Sequence, residues 1–220
     1  MSEPVVYNPL DKANLGASVA DALLGGTPRA LSDLAPFAGA GIYAIYYRGE
    51  FDAYQRLALL NSSGDPQAPI YVGKAIPEGA RKGAVATEGA ASKALFRRLK
   101  EHAESIGAVS NLKLDDFTCR YLLVDDIWIP LGESLLIAKF SPIWNTLIDG
   151  FGNHDPGKGR YQGTRPRWDV LHPGRVWASR CKPRVESAHD IAREVIHHLA
   201  NQPSLSRSRF LAGGRTSNST

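Results

Sequence analysis

GIYAIYY at residues 41–47 and PIYVGK at residues 69–74 decide how this chain is read. Both stretches concentrate β-branched and aromatic residues, so both read as strands. Strand alternation then puts Tyr43, Ile45 and Tyr47 on one face and Ile42, Ala44 and Tyr46 on the other. Between them lie a predicted helical turn at 54–60 and the turn signal Gly64-Asp65-Pro66, which lets the two strands pair. Working outward, Ala94, Leu95, Leu99, Ala103 and Ile106 recur at helical spacing behind Ser92, a good N-cap residue. FTCRYLLV at 117–124 reads as a third strand, and residues 132–140 read as a helix that Pro142 ends. Upstream, residues 15–24 and 30–34 read as short helical pieces broken by Gly25-Gly26 and Pro28. The order β-β-α-β-α predicts an α+β fold: a small three-stranded sheet, antiparallel or mixed, flanked by helices. The expected organisation is an N-terminal helical arm (1–40), a core (41–150), a loop-rich extension ending in a helix at 185–199 (151–206), and a polar, fraying tail (207–220).

Composition narrows the classes. The 43% hydrophobic and 22% charged fractions are those of a globular chain, and 220 residues bury enough surface to need no cross-links. Cys119 and Cys181 cannot build a disulfide framework or a zinc site and read as reduced, small hydrophobes. The start, Met-Ser-Glu-Pro, lacks a basic region followed by an apolar run, and no run of 18 uncharged apolar residues occurs. A cytoplasmic protein that spans no membrane is therefore expected.

The net charge of +4 hides an uneven distribution. Residues 151–220 carry 12 basic against 5 acidic side chains, and residues 74–100 carry seven basic residues against Glu78 and Glu88. Two basic stretches around a near-neutral centre are the footprint of polyanion binding, although a solvated surface would look the same. Arg98 and His102 are four apart, on one face of the predicted helix and within reach of a common ligand.

The order GIY (41–43), YVG (71–73), Arg98-x-x-x-His102, Glu133 on a helix, and SPIWN (141–145) resembles the GIY-YIG nuclease family. The resemblance covers residues 41–145. Val72 stands where the family name has Ile, and the stretch from Tyr43 to Tyr71 is long for the family; neither departure removes a polar group. The resemblance implies cleavage of a DNA phosphodiester with one divalent metal, Mg²⁺ or, as a substitute, Mn²⁺.

That chemistry needs a positioned water, a proton acceptor, and neutralisation of charge on the phosphate. Glu133 is the hard oxygen ligand expected to hold the metal, and Arg98 the planar fork expected to clamp phosphate. By resemblance Tyr43 faces the water, yet a phenol is a poor base unless a cation depresses it, and His102 titrates in a more suitable range. Either residue can be the general base. Tyr71 is expected to bond the phosphate or the water. Gly41 and Gly73 allow close backbone approach, Lys74 is a candidate phosphate contact, and Asn145 either pins the site or helps to bind phosphate.

GNHDPGKG at 152–159 falls one hydroxyl residue short of a nucleotide-binding loop and follows no strand, which argues against an NTPase. With the residues that follow it, the stretch instead interleaves basic and amide side chains with Phe151, Tyr161, Trp168 and Trp177, as a DNA-contacting loop would. Asn153, His154, Lys158, Arg160, Arg165 and Arg167 are its candidate phosphate or base contacts. DGFGNHDPG and WDVLHPGR resemble the Type II restriction endonucleases of the family, especially the branch that cuts CCGCGG. If so, double-stranded DNA is the substrate, a homodimer matches the two-fold target, and a DNA methyltransferase is the genetic companion. The alternatives are a repair or homing nuclease that nicks once, a catalytically inactive DNA-binding protein, and an RNA-processing enzyme.

Overall fold

The computed structural model describes residues 8, 10–77, 92–157 and 161–202. Its elements in chain order are α1 (Lys12–Leu24), β1 (Arg29–Ala30), β2 (Gly41–Tyr47), α2 (Gln55–Leu60), β3 (Pro69–Ala75), α3 (Ala94–Gly107), β4 (Phe117–Leu123), α4 (Ile129–Phe140), α5 (Ile143–Thr146), α6 (Arg167–Leu171) and α7 (Ala188–Asn201). The four strands form one antiparallel sheet in the order β1-β4-β2-β3. The expected three-stranded sheet is thereby corrected to four strands. The extra strand, β1, is two residues long and pairs Arg29 with Cys119 and Ala30 with Thr118. The helical piece expected at residues 30–34 does not form. Ala30 instead completes β1, and a 3₁₀ turn follows at Leu31–Asp33, because the free edge of β4 offers backbone partners that no local pattern reveals.

All seven residues of β2 are buried. Tyr43, Ile45 and Tyr47 enter one core with Leu95 and Leu99 of α3, Trp168 of α6 and Val195 of α7. Ile42, Ala44 and Tyr46 enter a second core with Ala20 and Leu23 of α1 and Ile129 and Leu136 of α4. The central strand is therefore apolar on both faces because helices cover both. Phe151, Trp168 and Leu171, which follow residue 150, share the first core with Tyr43.

The helix boundaries follow local chemistry. α4 begins at Ile129, three residues before the expected start, because Pro130 falls in the first turn, where its missing N–H removes no bond. It ends at Ser141, which takes a left-handed φ of 45°, ahead of Pro142. α7 begins after Ser187, whose side chain and that of Asp190 cap each other's backbone, so residues 185–187 of the expected helix precede the observed one. At α3 the N-cap is Lys93, without a side-chain cap bond, rather than the expected Ser92, whose hydroxyl, one residue earlier, accepts from the Ala94 N–H at 3.2 Å. Among the described residues, no helix is long and apolar enough to cross a membrane. Cys119 and Cys181 are free and buried.

Candidate active site

The register of β2 and β3 builds the first half of the site. Tyr43 is opposite Gly73 and Ile45 is opposite Tyr71, so Tyr43 and Tyr71 are diagonal neighbours on one face, with ring centroids 6.2 Å apart. Gly73 is required there: a methyl group at this position would overlap the Tyr43 hydroxyl. Gly41, at φ 154°, passes so close to the Leu122 carbonyl that a side chain would strike it. The Tyr43 hydroxyl lies 2.6 Å from His102 Nε2. Both rings are buried, and the His102 ring stacks on Phe151 at 4.6 Å. Burial, reinforced by Tyr71, pushes the Tyr43 phenol well above its ordinary pKa; burial, reinforced by Arg98, pulls His102 well below its own. Both groups are accordingly neutral near neutral pH. The pair is a hydrogen-bonded phenol and imidazole able to pass a proton between them.

Arg98 lies one turn before His102 on α3. Its Nη2 donates to the Gly152 carbonyl at 2.8 Å, and its Nη1 donates to Glu101 at 2.9 Å and to His154 Nε2. The helix thus places the two residues on one face, as the spacing predicts, but at different depths: His102 is buried and Arg98 lines an open cleft of about 760 Å³.

Lys74 and Glu133 approach that cleft from the other side of the sheet. Lys74 is opposite Ile42, on the face that α4 covers, and its Nζ lies 2.5 Å from Glu133 Oε2. Because β3 is the edge strand, groups from both faces meet past it. Tyr43, Tyr71 and Arg98 come from one side, Lys74 and Glu133 from the other. Among the described residues, no group of three His, Cys, Asp or Glu side chains could hold a metal. A single half-buried carboxylate suits a hard cation that keeps most of its waters, so the donor set fits Mg²⁺ rather than zinc, provided that the Lys74 ammonium releases Glu133.

Asn145, in α5, does not line the cleft. Its Oδ1 accepts from the Val72 N–H and its Nδ2 donates to the Val72 carbonyl, each at 2.8 Å. The outward backbone groups of the edge strand are thereby satisfied midway between Tyr71 and Gly73. The family model of the Eco29kI GIY-YIG domain matches residues 35–199, which include every residue of this site. The chain belongs to the Eco29kI GIY-YIG family. It is a restriction-type endonuclease. No curated protein matches the chain.

The Eco29kI GIY-YIG match extends beyond the core, through the basic stretch that follows residue 150. Here the side chains divide sharply. Asn153 and His154 are exposed beside the cleft. Arg165 turns inward and donates to the carbonyls of Ala178 and Ser179 at 3.1 and 3.4 Å. Arg167 donates to the Leu147 carbonyl at 2.7 Å and pairs with Glu186 and Glu194. Arg175 is buried against Asp169, and His172 bonds Tyr54 at 2.6 Å and Asn111 at 2.9 Å. Lys158 and Arg160, like Arg81, Lys82 and the tail 207–220, lie outside the described residues.

Two residues at this cleft, Glu101 and Gly152, are not among the candidates read from the sequence. Glu101 stands three positions after Arg98, a spacing at which a helical ion pair could have been read. Gly152, whose carbonyl receives Arg98, had no local signal, because that contact spans 54 residues.

Proposed function

We propose that this chain is a Type II restriction endonuclease that hydrolyses both strands of a short, GC-rich palindrome in double-stranded DNA by in-line attack of water. The observation that supports this reading best is the convergence of the Tyr43–His102 pair, Tyr71, Arg98 and Glu133 on one open cleft. Arg98 offers planar donors to the non-bridging oxygens of the scissile phosphate, exchanging its bonds to Glu101 and His154 for them. Tyr43 accepts a proton from the attacking water while handing its own to His102. A free phenolate, which burial opposes, is then never formed. The imidazolium this creates is offset by the negative charge that the phosphate brings into the cleft. Tyr71 orients the phosphate or the water.

Glu133 would hold Mg²⁺, or Mn²⁺ in its place, and the bound ion supplies positive charge to the phosphate and the leaving oxygen. Lys74, released from Glu133, adds a point charge to the same phosphate. Asn145 fixes the strand that carries Tyr71 and Gly73. Exposed Asn153 and His154, together with Lys158 and Arg160, contact the DNA around the cut. A homodimer places one such cleft on each strand of a palindrome, and a cytoplasmic enzyme of this kind needs a DNA methyltransferase to protect the host.

The deciding experiment incubates the protein with large, methylation-free DNA in Mg²⁺ and in EDTA and sequences the ends formed. Mg²⁺-dependent double-strand cuts at one palindrome are expected. Single nicks would point to a repair or homing enzyme. DNA that is bound and left intact would point to an inactive binding protein.

A further inference from the structure

Arg175 does not line the cleft, yet its bonds lead to Arg98. All five of its N–H groups have partners. Nε and Nη2 donate to the two oxygens of Asp169 at 2.7 and 2.6 Å, Nη1 donates to the carbonyls of Phe151 and Asn153 at 3.0 and 3.1 Å, and Nη2 also donates to the Gly150 carbonyl at 2.8 Å. Its guanidinium lies between the rings of Trp168 and Trp177, with centroids 4.5 and 4.8 Å away, and Arg175 and Asp169 are both almost fully buried. One planar cation therefore grips the carbonyls of residues 150, 151 and 153. The carbonyl it leaves free, that of Gly152, is the one that accepts Arg98 Nη2 at 2.8 Å. At Gly152 the chain passes so close that a methyl group would press on both the Tyr71 hydroxyl and Arg98 Nη2.

We propose that Arg175, locked by Asp169, is a positioning residue for catalysis: it shapes residues 150–153 so that the Gly152 carbonyl aims the Arg98 guanidinium into the cleft. The inference rests on the reading of Arg98 as the phosphate clamp. A lysine at 175 keeps the charge beside Asp169 but has a compact ammonium with three donors, which cannot span three carbonyls and a carboxylate. The loop then loses its register, and Arg98 loses its aim.

The test is a double-mutant cycle of Arg175→Lys and Arg98→Lys. Single-turnover cleavage with protein in excess is measured in Mg²⁺, beside gel-shift binding in EDTA and thermal melting. Arg175→Lys is expected to slow cleavage on the order of tenfold or more, because small misplacements of a catalytic group are costly, with binding within about threefold of the parent. In the Arg98→Lys background the same change is expected to slow cleavage less than about threefold, since the residue it aims is already altered. An unchanged rate in Arg175→Lys overturns the inference. So do equal losses in both backgrounds, which would mark Arg175 as purely structural. If Arg175→Lys does not fold, Asp169→Asn, which weakens the lock on the same guanidinium, takes its place with the same outcomes. If the parent leaves DNA uncut, or Arg98→Lys cuts at the parental rate, the nuclease reading itself is wrong. If Arg98→Lys is slow and Arg175→Lys is not, only the inference fails.

Discussion

Tyr43 Oη and His102 Nε2 stand 2.6 Å apart between two buried rings, and burial drives the two groups in opposite directions: the phenol up and the imidazole down. Each is thus stabilised in its neutral form. For a reaction that needs neutral His102 as proton acceptor, the acceptor form prevails at every pH above its lowered pKa. The acid limb of the rate then falls well below pH 6.5, and no alkaline limb from Tyr43 appears up to pH 10. Single-turnover rates between pH 5.5 and 10 measure this. An acid limb centred at 6.5 or higher would remove His102 from that role.

Among the described residues, Glu133 pairs with Lys74 in the cleft. Glu133→Gln keeps the shape of the side chain and removes the charge that would hold Mg²⁺. Cleavage should fall by at least about a thousandfold while gel-shift binding in EDTA stays near the parental value. A variant that still cuts in Mg²⁺ at a tenth of the parental rate excludes Glu133 as the essential ligand.

Gly73→Ala sets a methyl group against the Tyr43 hydroxyl. Overpacking of this kind costs about 1–3 kcal/mol of stability and displaces the phenol from His102. The expected result is a folded protein with a lowered melting temperature, near-parental DNA binding, and cleavage slowed on the order of a hundredfold. Cleavage at the parental rate would show that Tyr43 can move without consequence.

His172 supplies a stability test separate from the reaction. It is fully buried, bonded to Tyr54 and Asn111, and burial pulls its pKa down to about 3. In the unfolded chain the same imidazole titrates at its ordinary value, so the unfolded state takes up the proton first as the pH drops. His172 therefore favours the fold fully above about pH 6.5, and that contribution is lost progressively as the pH falls towards 3. Across the whole window the loss is on the order of 4–5 kcal/mol. Urea midpoints at pH 7.5, 5.5 and 4.5 should fall more steeply for the parent than for His172→Gln. Parallel slopes would refute the assignment.

Much of this was legible along the chain. Seven apolar and aromatic residues in alternation, 41–47, revealed a strand with two distinct faces, and Arg98 and His102 at a spacing of four revealed a shared helix face. Both patterns are local, since the periods of strand and helix follow from backbone geometry alone. The two-residue β1 carried no period to read. Likewise, whether Asn145 met phosphate or backbone could not be told from SPIWN, because its partner, Val72, is 73 residues away.

The sequence by itself therefore determined most of the element types and brought the tyrosine pair, Arg98, His102 and Glu133 forward as candidates, because each rests on residue chemistry at short separation. The tertiary structure alone decided depth and partnership. It buried His102 and left Arg98 in the cleft, and it brought Glu133 past the edge strand to Lys74. It also turned Arg165 and Arg167 inward, where composition had suggested DNA contacts. An arginine side chain is equally suited to a phosphate and to a row of backbone carbonyls, and only the packing of distant segments determines which of the two lies within its reach.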